Sequence, residues 1–278
     1  MKFIKLILLA GFVVPQLSFG ESKVELPRSE IVEISDSNTK RVYELFIQHP
    51  RRYSEEKKYP VVYMTDAPYT FPIVTSAARY PVNVKKMEDV MFVGISWQKG
   101  YNGGLSRQRD YTPTSSSPGF KDPSGKAHEH LEFIHKDVFH YIETKYNTDP
   151  SRRTYIGNSF GGLFGAYILL NSPESFRHYI ISSPSMWWDN DFMLQQEFRI
   201  PITQKNAVFI SVGELETKYS KGVNNDMVLG AKKFFSLLNK NKPSTMELEL
   251  RVVPHANHET VFPTAAIQGL WWLFKIDA

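Results

Sequence analysis

Apolar residues in the first third of this chain fall into short, closely spaced runs, and further on they alternate with longer amphipathic stretches. Strand-like runs occupy Ile31 to Ile34, Val42 to Ile47, Val61 to Thr65, Val90 to Ser96, Arg153 to Ile156, Val208 to Val212 and Met246 to Val253. Pro60 to Met64 and Val90 to Ile95 are almost continuously apolar, as strands are when helices cover both faces. Between Ala127 and Tyr146, apolar side chains recur at Leu131, Ile134, Val138, Tyr141, Ile142 and Tyr146, the stripe of a helix packed on a sheet. That helix is expected to stop at the breaker Asn147-Thr148-Asp149-Pro150. Early strands follow one another across turns and later ones alternate with helices. The pattern therefore predicts an α/β fold whose sheet starts antiparallel and becomes mostly parallel. Reactive groups in such sheets gather beyond the carboxyl ends of the strands.

Residues 1–20 read differently. Lys2 and Lys5 precede a short apolar stretch from Leu6 to Val14, and the small residues Ser18 and Gly20 flank a cleavage point, which together read as an export signal. The stretch is too short to span a bilayer and ends at Pro15, and no later segment is apolar enough to cross one. The expectation is a mature chain starting near Glu21, periplasmic or secreted, with residues 21–278 as a single domain. The sequence has no cysteine, so disulfides, thiolate metal sites and a cysteine nucleophile are all excluded. Formal charge is +4, and removing Lys2 and Lys5 leaves +2, which argues against a nucleic-acid partner. Aromatic residues make up 14% of the chain, more than a core of this size obviously needs.

The most specific chemical signal is Gly157-Asn158-Ser159-Phe160-Gly161-Gly162, placed between the strand-like Arg153 to Ile156 and a helix-like run from Leu163 to Leu170. A G-x-S-x-G between strand and helix is the context of a nucleophile elbow, in which a serine is exposed on a strained turn with glycines beside it. The same turn directs the Phe160 N–H and the helix start at any oxyanion formed above Ser159. The glycines fit neither dinucleotide-binding nor phosphate-loop spacing.

A serine hydroxyl needs a histidine base, and the base needs an acceptor that fixes its tautomer. Of the histidines after Ser159, His178 reads as structural or surface. His255 and His258 both follow the strand that ends at Val253. His258 is preferred because its loop leads straight into the last helix, with His255 as the fallback. The acid is expected after the strand Val208 to Val212, as Glu216 or Glu214, and a dyad without an acid stays open. Asp189 and Asp226 are poorer candidates on chain position. A second oxyanion donor is expected from the loop Asp66-Ala67-Pro68-Tyr69; Pro68 has no N–H, which leaves Ala67 or Tyr69.

With these positions in hand, the chain resembles the esterase family of α/β-hydrolases that includes siderophore esterases of the enterobactin and bacillibactin type, S-formylglutathione hydrolase, feruloyl esterases and antigen 85 mycolyltransferases. The resemblance rests on Tyr59 to Tyr63, Arg107-Gln108-Arg109-Asp110-Tyr111-Thr112-Pro113, the elbow, Ser182-Ser183-Pro184-Ser185-Met186-Trp187-Trp188, Val212 to Glu216, and Asn257-His258. The R-x-R-D-x-T-P and S-P-S-x-W-W pieces are most similar to the siderophore branch. It implies an α/β-hydrolase fold and cofactor-free serine hydrolysis of an ester or lactone, carried onto Ser159 and His258. The small-molecule substrate it implies includes a ferric or iron-free siderophore. Ala67-Pro68 after Asp66 departs from the Asp-Gly of that branch.

Trp187 and Trp188 follow a strand end and are candidates for lining an aromatic-accepting pocket, and Arg107 and Arg109 for meeting an anionic ligand. The competing expectations are ordinary packing for the tryptophans and an internal Arg109–Asp110 ion pair. Trp271 and Trp272 read as core. His128, His130 and His135 are not expected to hold a metal, since residues two apart on a helix face different ways. Two alternatives stand beside the siderophore reading: a feruloyl or acetyl esterase of plant polysaccharide, and a non-catalytic binding module on the same scaffold.

Overall fold

The structure is a computed structural model that describes residues 24–115, 123–197, 205–222 and 224–276. The expected export signal lies outside the described residues. Eight strands form one sheet: β1 (Ser29–Ser35), β2 (Val42–Gln48), β3 (Tyr59–Met64), β4 (Met91–Ile95), β5 (Thr148–Asn158), β6 (His178–Ser182), β7 (Ala207–Gly213) and β8 (Glu247–Val253). Their spatial order is β1-β2-β4-β3-β5-β6-β7-β8. Pairing is antiparallel from β1 through β2 to β4 and parallel from β4 to β8, as the spacing of the runs predicts.

The helices are α1 (Ala67–Asn83), α2 (Gly103–Tyr111), α3 (Ala127–Phe133), α4 (His140–Lys145), α5 (Phe160–Asn171), the single turn α6 (Trp188–Asp191), α7 (Met227–Asn241) and α8 (Val261–Phe274). Alternate side chains of the central strands feed two cores. Tyr63, Tyr155, Tyr179 and Ile210 face the layer that holds α5 and α7. Val62, Met64, Ile156, Ile180 and Phe209 face the layer of α1 and α8. Trp272 packs on that second core, as expected, whereas Trp271 is 43% exposed. The helix expected over 127–146 is present but interrupted by a π-helical segment, Ile134–Phe139. β5 begins inside the expected breaker, at Thr148, with a register shift against β3.

His178 opens β6 with its ring edge against Phe274, and its Nδ1 is buried without a hydrogen-bond partner. Burial, helped by Arg177 and Arg152, pushes its pKa down from 6.5 to about 4. The folded state therefore binds its proton less readily than the unfolded chain. The corresponding stability is present above pH 6.5 and is lost as pH falls towards 4, by about 2 kcal/mol between pH 7 and 5. Urea unfolding of the wild type and of His178→Leu should differ by that much less at pH 5 than at pH 7; a pH-independent difference contradicts it.

Candidate active site

Ser159 follows the last residue of β5 and stands at the N-cap of α5 with φ 60° and ψ −117°, a conformation L-residues rarely hold. The turn is closed by its N–H donating to Ser182 O (3.0 Å) and its carbonyl accepting from Leu163 N (2.9 Å) and Ser185 N (3.2 Å). The neighbouring glycines are there for space. A Cβ on Gly157 would strike the Gly161 carbonyl, and one on Gly161 would strike the Thr65 hydroxyl. The Ser159 hydroxyl lies 3.4 Å from Ser185 Oγ.

The turn after β7 returns Glu216 beneath the sheet end, where it is 1% exposed. Its Oε1 accepts from the Ser183 hydroxyl (2.6 Å) and the Gly213 N–H (2.7 Å), and Oε2 lies 2.6 Å from His258 Nδ1. With Nδ1 held this way, Nε2 is the nitrogen left to exchange a proton. Glu214 points elsewhere: its side chain is half exposed and accepts from the backbone N–H of His255, whose own side chain is 93% exposed. Geometry thus joins Glu216 to His258 and sets the other glutamate and histidine apart. Asp226 caps α7 through Leu229 N, and Asp189 lies in the single turn α6.

Ser159, Glu216 and His258 line one open cavity of about 660 Å³, together with Trp187, Leu215, Lys221 and Asn257. Ser185, Ser220, Asn224, Asn225 and Glu259 add to the polar part of its wall. A volume of that order suits a small-molecule ligand.

Beside the elbow, Asp66 holds the αL position that starts α1 (φ 59°). Its carboxylate receives Arg107 through Nε and Nη2, both at 3.0 Å, and Trp97 Nε1 at 2.6 Å. Burial, the largest single influence, would lower the Arg107 pKa, but the Asp66 charge and its hydrogen bonds, with Tyr111 and Tyr155, together leave it raised. The guanidinium lies 5.3 Å from the Phe160 ring centroid. Tyr69 N donates to Asp66 O inside the first helical turn, and Ala67 is the buried first residue of α1.

Three expectations about the pocket wall need correction. Arg107 is committed to Asp66 next to the elbow and does not line the cavity. Arg109 is buried, bonded to Asp110 through Nε (2.7 Å) and Nη2 (2.9 Å) and to Gln98 Oε1 (2.8 Å). Asp110 in turn accepts from the Tyr43 and Ser106 hydroxyls, so this pair is an internal brace. Trp188 is fully buried with its Nε1 donating to Thr114 Oγ1 (3.0 Å), and of the two tryptophans Trp187 is the one on the cavity wall. The residues the sequence did not single out are Ser183 and Ser185. Their signal was present in the S-S-P-S repeat, but a serine-rich turn has many bland explanations. The three helix histidines disperse: His130 is buried among Tyr43, Tyr111, Phe133 and Phe164, and His135 bonds Ser175 Oγ. Among the described residues no helix is long and apolar enough to cross a membrane, and no group of three or more His, Cys, Asp or Glu could hold a metal.

A sheet of this order, with serine on a strained turn after its central strand and an acid–histidine pair supplied by the turns after β7 and β8, defines an α/β-hydrolase of the serine type. The chain belongs to the family described as Putative esterase, whose model matches residues 37–270, and it is a carboxylic ester hydrolase. It is similar to the ferri-bacillibactin esterase BesA of Bacillus subtilis (strain 168), 29% identical over 268 residues that span 91% of each chain. Among solved structures it is similar to the BES protein from Bacillus cereus, with a TM-score of 0.82, 26% identity, and 92% of this chain and 98% of that one covered. The siderophore hydrolase EstB from Aspergillus nidulans shares the fold at a TM-score of 0.77 and 21% identity, with 92% and 97% covered.

Proposed function

We propose that this protein cleaves the ester or lactone bonds of a catecholate siderophore, with Ser159 as nucleophile, His258 as base and Glu216 as the acid that orients it. The observation that carries the reading is the placement of all three side chains on one cavity wall, with the Glu216–His258 pair fixed at 2.6 Å. Ser159 Oγ adds to the ester carbonyl carbon as His258 Nε2 takes its proton. The oxyanion is stabilised by the N–H groups of Phe160 and Ala67. Collapse expels the alcohol, which receives the proton from His258, and leaves an acyl-serine. A water deprotonated by His258 then attacks the acyl carbon, releases the acid and restores Ser159.

Two features of the wall favour an aromatic, anionic substrate: the Trp187 ring, on which a catechol can stack, and the Lys221 ammonium. The similarity to a ferri-bacillibactin esterase over nearly the whole chain supports the same class. The test is kcat/KM for ferric and iron-free catecholate trilactones beside methyl ferulate and an acetylated xylan. The trilactones should be preferred, and a higher value for either plant ester would replace this reading with the polysaccharide one. Trp187→Ala should raise KM for a trilactone about fivefold, with kcat nearly unchanged, because a stacked ring contributes about 1 kcal/mol to binding. Equal KM values would remove the stacking role. We also propose export to the periplasm or medium, supported by the charged start and apolar stretch of residues 1–20. A mature N-terminus mapped near Glu21 is the expected result.

A further inference from the structure

The segment Ser182 to Ser185 touches the nucleophile at both ends and the acid in between. Ser182 O receives the Ser159 N–H, and Ser185 returns its own N–H to Ser159 O while its hydroxyl lies 3.4 Å from Ser159 Oγ. Between them, Ser183 donates its N–H to Ser211 O (2.7 Å) and its hydroxyl to Glu216 Oε1 (2.6 Å). Ser183 is fully buried and has φ 38°, a region that disfavours any side chain and is expected to cost about 1 kcal/mol or more. Glycine would relieve that strain but could not supply the hydroxyl. Glu216 is itself buried, and a buried carboxylate is held in one orientation by the donors from which it accepts. Ser183 is the only side-chain hydroxyl among its described donors, alongside the Gly213 N–H and the His258 ring.

We propose that Ser183 is a positioning residue of the hydrolytic site: its hydroxyl fixes the Glu216 carboxylate so that the other oxygen meets His258 Nδ1. The inference rests on the proposed assignment of Ser159, Glu216 and His258. Removing the hydroxyl leaves the carboxylate less firmly held. The Glu216–His258 contact then loses its fixed geometry, and the imidazole is less well oriented to take the Ser159 proton.

The experiment measures kcat and KM for p-nitrophenyl acetate from pH 5 to 9 on wild type, Ser183→Ala and Ser183→Gly, with Ser159→Ala as the control for the triad itself. In both Ser183 variants kcat should fall about ten- to a hundredfold with KM within about twofold, as for other residues that orient a catalytic group. The downfield proton resonance of His258 Nδ1–H should shift or broaden. Ser183→Gly, relieved of the positive φ, keeps the test valid if Ser183→Ala folds poorly. Wild-type kcat and an unmoved resonance in a folded variant overturn the proposal. So does a loss of rate that follows the folded fraction alone while the resonance stays in place. An active Ser159→Ala control would instead defeat the underlying assignment.

Discussion

Ser159→Ala is expected to lower kcat for a p-nitrophenyl ester by about ten-thousandfold or more, because the acyl-enzyme route closes and only oxyanion stabilisation and binding remain. The fold should be nearly indifferent to the change. The unusual backbone conformation is held by hydrogen bonds from Ser159 N to Ser182 O and from Leu163 N and Ser185 N to Ser159 O, none of which uses the side chain. The hydroxyl's neighbour, Ser185 Oγ at 3.4 Å, is a long contact whose loss costs below about 1 kcal/mol. Circular dichroism and urea unfolding of the inactive variant should match the wild type, and substantial turnover in a folded Ser159→Ala protein would remove Ser159 from the chemistry.

Glu216→Gln should cost about a thousand- to ten-thousandfold in kcat, whereas Glu214→Gln should change it by less than about twofold. The contrast follows from what surrounds each carboxylate. At Glu216 two donors, Ser183 Oγ and Gly213 N, fix one oxygen, so an amide replacing the carboxylate keeps its carbonyl there and turns its NH2 towards His258. His258 Nδ1 then becomes an acceptor, the ring proton moves to Nε2, and the nitrogen facing the cavity can no longer take a proton. Glu214 binds only the backbone N–H and ring edge of an exposed His255, outside the cavity lining. An unimpaired Glu216→Gln enzyme would mean that serine and histidine work as a dyad; a crippled Glu214→Gln would mean the acid is the other glutamate.

The elbow was legible from sequence because its demands are local: a strand, a serine and glycines within six residues leave few other structures. The sheet was legible for a similar reason, since strands buried on both faces leave nearly unbroken apolar runs such as Val61 to Met64. β6 was the exception, because His178 to Ser182 is five residues long and opens with a histidine. The π-helical turn at Ile134–Phe139 left no trace, as one extra residue in a turn barely disturbs the apolar stripe. Choosing Glu216 over Glu214 required knowing which way a turn of three residues faces, and that depends on Ser183, more than thirty positions away in the chain. Arg107, Arg109 and Trp188 misled for the same reason. Charge and aromatic character mark residues that bind ligands and residues that brace loops alike, and the partners Asp66, Asp110 and Thr114 decide between them only in three dimensions.

The central claim is that Ser159 is made nucleophilic by the His258–Glu216 pair across one cavity. The most direct measurement is peptide mass mapping of a fluorophosphonate adduct on the intact protein, with labelling rates compared between wild type and His258→Ala. The account predicts one adduct per chain, on Ser159, formed at least about a hundredfold more slowly without the imidazole. A label on another residue, or an equal rate in both proteins, would contradict it.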